Sequence, residues 1–152
     1  MRKFTRVISV LAVIGGLATA PLSVQAATAE DLLAQINKLP PAERQKRLEE
    51  GAKKEGNVVV YSNHGLETIE AYAEGFAKKY PFIKVERTRL QGAKGLDRIL
   101  LEHRVGKLPA DVVGVDFDNI GELVKAGVLG RYDSPEKKYY SNQFWDKDGR
   151  WY

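Results

Sequence analysis

The sequence has no cysteine, one methionine and only two histidines in 152 residues. Without cysteine there is no disulfide framework, so a small stapled secreted module is excluded and the fold must rest on a packed core. The catalytic signatures GxSxG and HExxH are also missing, and the one glycine-rich stretch with a lysine, Gly92-Ala93-Lys94-Gly95, lacks the spacing and the GK[ST] ending of a phosphate-cradling loop. Long uninterrupted apolar runs are scarce too. The stretch from Val7 to Ala20 is broken by Gly15, Gly16 and Thr19, with Pro21 just beyond, which argues against a membrane anchor spanning about 30 Å of hydrocarbon.

What is present at that end is a secretory leader. Arg2, Lys3 and Arg6 precede the apolar stretch, and Val24-Gln25-Ala26 offers the small side chains a signal peptidase requires, so residues 1–26 are expected to be a cleaved signal peptide and the remainder periplasmic. The leader carries three of the 24 basic residues and none of the 20 acidic ones, which leaves a balance of +1 for the remainder. Most of the excess that would attract phosphates leaves with it, and no nucleic-acid partner is expected. With 43% hydrophobic residues the chain can build a core of one modest domain.

Residues 27–56 form a helical lead-in, read as two short helices broken at Pro40-Pro41. Leu32, Leu33, Ile36 and Leu39 make an apolar stripe on the first, and Gly56 stands where a helix end takes a left-handed residue. From residue 57 the pattern alternates: strand NVVVYSN, helix LETIEAYAEGFAKKY, strand IKVERTRL, helix GLDRILLEHRVGK, strand ADVVGVD, helix NIGELVKAGV. On the first of these helices Leu66, Ile69, Ala73, Phe76, Ala77 and Tyr80 share one face. Strands alternating with helices of this length predict an α/β fold with a parallel sheet flanked by helices. The first and third strands are nearly continuous valine runs, expected to be covered on both faces, whereas Lys84, Glu86, Arg87 and Arg89 mark the second as an edge. The order is then second, first, third, with the topology reversing between the first and third strands.

Open α/β sheets bind ligands beyond the carboxyl ends of their strands at such a reversal. Three junctions fall there: Ser62, Asn63 and His64 after the first strand, Gln91 and Gly92 after the second, and Asp116, Asp118 and Asn119 after the third. Each one alone has an ordinary turn explanation; Asn119 with Glu122 three residues on reads as a helix cap. The three together predict a ligand-binding rim, with backbone N–H groups at helix starts favouring an anion or polar ligand. Two rival chemistries use the same residues. An exported α/β hydrolase would employ Ser62 as nucleophile, or a metal at His64 assisted by Asp116, Asp118 or Glu67. His103 sits beside the apolar row of its helix and reads as structural. A third alternative is an interaction module presenting the aromatic tail of Tyr132, Tyr139, Tyr140, Phe144, Trp145, Trp151 and Tyr152. The tail reads rather as core belonging against something else: Asp148-Gly149 signals a turn, and Arg150-Trp151-Tyr152 looks like a strand just starting, so residues 57–152 are expected to be an incomplete first lobe whose second lobe is absent.

The ordered segments LEEGAKKEGNVVVYSN, FAKKYPFIKVERTRLQG and LPADVVGVDFDNIGELVKAGVL resemble the amino-terminal lobe of extracellular solute-binding proteins of bacterial ABC importers, in particular the branch containing ferric-iron-binding proteins. The resemblance implies a type II periplasmic binding protein, in which two α/β lobes on a hinge close around a small solute, iron or an organic anion, and deliver it to a membrane permease. It implies no catalysis, a monomer, and ferric iron as a transported ligand. His64 lies near the position where a histidine after the first strand ligates metal in iron-binding relatives. The adjacent tyrosine pair of those relatives comes from the second lobe; Tyr139-Tyr140 lies too early in the chain for that role.

Overall fold

A computed structural model describes residues 28–152; the expected signal peptide, residues 1–26, lies outside them. Helix α1 spans Ala29–Ile36 and opens with a reciprocal cap. The Asp31 amide donates to Thr28 Oγ1 at 3.2 Å, while the Thr28 amide donates to the Asp31 carboxylate at 3.1 Å. Helix α2, Pro41–Glu55, starts with proline in its first turn and ends at Gly56, whose φ of 74° is left-handed. Gln45 of the lead-in donates to the Tyr80 hydroxyl, and Lys53 lies over the Phe82 ring. Its apolar stripe is narrower than expected. Ile36 is buried, but Leu32 remains exposed: Leu33, Ala34 and Asn37 share a lining with Arg131, Tyr132 and Gly149, and Leu32 is not part of it.

Strands β1 (Asn57–Ser62), β2 (Lys84–Arg89) and β3 (Val112–Gly114) form one parallel sheet in the order β2-β1-β3. The polar second strand is at the edge, as its charges predicted. Helices α3 (Leu66–Lys79) and α4 (Gly92–Arg104) supply the two crossovers, and α5 (Phe117–Lys125) follows the last strand. Side-chain alternation along β1 sends Val59 and Tyr61 to one face and Val58, Val60 and Ser62 to the other. The first face holds the core: Tyr61, Ile99 and Leu123 are buried there, surrounded by Val113, Val115, Leu96 and Leu100.

The second face departs from expectation. Among the described residues α3 packs over it and leaves a groove along Val58, Val60, Ile69, Phe76 and Val112. Val112 is 53% exposed, so β3 is not covered on both faces. Of the predicted α3 row only Ile69 is buried; Leu66 and Phe76 stay exposed, Phe76 lining the open groove beside β1 and β3. Helix α4 begins three residues earlier than predicted and α5 two residues earlier. Residues 150–152 form no strand. A turn closes at Gly149, φ 71°, and the chain folds back so that the Tyr132 amide donates to the Gly149 carbonyl at 2.8 Å.

Candidate functional site

Parallel register puts all three junctions on one rim. Ser62 pairs with Arg89 across one side of β1 and with Gly114 across the other, so the chain leaves each strand at the same level. Two side-chain bonds tie the exits together. Asn63 Nδ2 donates to Asp116 Oδ1 at 2.7 Å, joining the first and third junctions, and Arg89 Nε donates to the His64 carbonyl at 2.9 Å, joining the second strand's end to the first. The Asn63 amide adds a bond to the Gly114 carbonyl at 3.1 Å.

Each exit feeds directly into a helix, and none of the three helix starts is capped by a side chain. Gly65 and Gln91 offer no capping bond. Asp116 has the right chemistry for a cap, yet its carboxylate is turned toward Asn63. The expected cap at Asn119 is therefore corrected: Asn119 lies within the first turn of α5, its amide donating to the Asp116 carbonyl at 2.9 Å. Uncapped N–H groups at three helix starts leave the rim rich in donors.

Charge divides the rim. Helix α4 carries no acidic residue in its first turn and has Lys94 there, beside the Arg89 end of β2, whereas α5 begins with Asp116 and carries Asp118. One side thus favours anionic groups and the other a cation. Gln91 and Gly92 are exposed on the anion-favouring side. The glycines of this junction also have local work to do. Gly92 takes φ 59° to turn the chain into α4, and Gly95 is buried so tightly that an added Cβ would meet Leu90 at 3.0 Å.

His64 is exposed, its ring edge-on to Tyr72 at 6.1 Å. Among the described residues no three His, Asp or Glu side chains are grouped so as to hold a metal ion. Ser62 is buried, and its hydroxyl accepts from the His64 backbone amide at 3.3 Å rather than facing an imidazole. Ser62 and His64 therefore do not form a nucleophile–base pair through their side chains. His103 is half-buried on α4, in keeping with a structural role. The feature that sequence reasoning missed is the Asn63–Asp116 bridge; the capping propensity of Asp116 hid it, since the same residue type serves both ends.

No family model and no curated protein matches the chain. Among solved structures, it is similar to ferric iron-binding protein A of Mannheimia haemolytica in an open conformation, with 30% identity and a TM-score of 0.50 over 62% of this chain and 29% of that one. It is also similar to IdiA (FutA) of Trichodesmium in complex with iron and citrate ligands, with 25% identity and a TM-score of 0.53 over 62% of this chain and 30% of that one. The fold is that of the amino-terminal lobe of a type II periplasmic binding protein, and the likeness to ferric-iron-binding proteins read from the sequence is present in the structure. The neighbours are iron-binding proteins rather than enzymes, in agreement with the expectation of no catalysis. This chain spans less than a third of the length of either neighbour.

Proposed function

We propose that this chain supplies the amino-terminal lobe of a periplasmic solute-binding protein that serves an ABC importer and exchanges its cargo with a membrane permease. The observation that carries the reading is the rim itself: three uncapped helix starts gathered at one end of a parallel sheet and braced by the Asn63–Asp116 bond. Such a rim at a topological reversal is where this architecture binds ligands. Its divided charge suits a solute that brings both signs, and an iron–carboxylate complex is the simplest example. Carboxylate oxygens would meet the N–H groups of α3 and α4 near Arg89, the cation would lie toward Asp116 and Asp118, and His64 would contribute a nitrogen from the same rim. Further ligands and the closing wall would come from a second lobe, with hinge closure retaining the solute.

A thermal-shift experiment tests this with a chain extended through the second lobe and with the 152-residue chain, each titrated with ferric citrate and with citrate alone. A solute present at a hundred times its Kd stabilises the folded state by about 2.7 kcal/mol, so the extended chain should shift clearly with ferric citrate and the shorter one little. Replacing Asp116 by Ala in the extended chain should reduce the shift. Equal shifts in both chains, or none in the extended one with either ligand, would remove the proposal.

A further inference from the structure

Beside the rim, between the start of α5 and the arm formed by residues 132–152, lies a cleft of about 680 Å³. Small-molecule sites occupy roughly 300–1,000 Å³ and combine apolar or aromatic walls with a few polar groups. Here aromatic rings make up much of the wall. Phe117, Phe144, Trp145, Trp151 and Tyr152 line the cleft, and Phe117 and Trp151 stand nearly perpendicular, 86° apart with centroids at 5.7 Å. Two perpendicular rings form a corner that can take a third flat ring, stacked on one and edge-on to the other. Phe117 is 70% exposed, so an incoming ring would bury apolar surface that the protein itself leaves in water.

Charge then selects the kind of ring. The Lys137 ammonium lies 4.1 Å from the Trp145 centroid, and its side chain is only 26% exposed. Among the described residues the carboxylate within 4 Å of it is that of Asp133, at 3.8 Å and well solvated. Glu136 also lines the cleft but is exposed, so solvent and salt screen it more than they screen Lys137. Gln143 adds an amide on the same lining.

We propose that this cleft binds a ring-bearing organic carboxylate, the ring seated between Phe117 and Trp151 and the carboxylate meeting Lys137 and Gln143. The site goes beyond the import reading: it lies outside the Asn63–Asp116 rim and requires neither a second lobe nor a permease. The chain has only two tryptophans and both line the cleft, so intrinsic tryptophan fluorescence reports on it directly.

The test titrates the purified chain with hydrocinnamate, with phenethylamine, which keeps the ring and reverses the charge, and with hexanoate, which keeps the carboxylate and loses the ring. Hydrocinnamate should give a saturable change at a concentration at least about ten-fold lower than either of the others. Lys137→Gln should weaken hydrocinnamate about ten-fold, the size of one charge-assisted contact, and Lys137→Arg should retain most of the binding. Circular dichroism confirms that the variants keep their helices, and the comparison of the three probes on the wild-type chain stands without any variant. Equal responses to hydrocinnamate and phenethylamine, no saturation with any probe, or hydrocinnamate binding unchanged in Lys137→Gln would each overturn the proposal.

Discussion

Tyr61 ties the sheet to helix α4. Its ring is 2% exposed, its hydroxyl donates to Glu102 at 3.0 Å, and it accepts from Arg98, which also binds Glu102 at 2.8 Å. A buried hydroxyl with two partners cannot be deleted without leaving them short, so Tyr61→Phe should cost about 1–2 kcal/mol in urea unfolding. The same trio sets opposite pH limits. Burial, reinforced by the bond to Glu102, raises the Tyr61 pKa, so its contribution is complete below the ordinary tyrosine value near 10 and is lost as pH climbs through the raised value. Hydrogen bonding from Arg98 holds the Glu102 carboxyl below its usual range, so that contribution is complete above about pH 4.3 and is lost as pH falls through the lowered value. Unfolding midpoints measured across pH should therefore decline at both ends; Glu102→Gln should flatten the acid limb and Tyr61→Phe the alkaline one.

At the scale of elements, the turns divide into those that need glycine for conformation alone and those that need it for space as well. An added Cβ at Gly56 would meet nothing within 4 Å, leaving only the left-handed φ to penalise it, and Gly56→Ala should cost about 1 kcal/mol. Gly149 has the same sign of φ, but its Cβ would fall 2.7 Å from the Tyr132 carbonyl oxygen. Gly149→Ala should cost clearly more in the same thermal melt, and equal costs would show that the turn relaxes. Strand order, the edge position of β2 and the break at Pro40-Pro41 were legible because valine runs, charge and proline each act within a few residues. Helix starts were less so. Gly92 and Phe117 are poor starting signals on their own, and only contact with the strand ends, Gly95 against Leu90 and Asp116 against Asn63, fixes where α4 and α5 begin. The rim was readable as three polar junctions; its internal bracing was not, because a bond between residues 53 positions apart leaves no local trace.

For the molecule as a whole, burial is concentrated on one face of the sheet. Leu123 is fully buried among Tyr61 and Ile99, while Val60 on the other face lines the groove under α3. Leu123→Ala should therefore cost about 2–5 kcal/mol, and Val60→Ala well under half as much; comparable losses in urea unfolding would mean that the two faces are equally packed in solution. The fold-back at Gly149 carries a further dynamic consequence. The amides of Tyr132 and Ser134 are held by the Gly149 carbonyl and the Tyr152 hydroxyl, and Tyr152 also donates to the Tyr132 carbonyl. Because one short stretch supplies these partners, its detachment would release the intervening segment in a single cooperative step. Deuterium uptake at Tyr132 and Ser134 should then proceed at a shared rate, faster than at Tyr61, whose amide is freed only when the sheet itself comes apart.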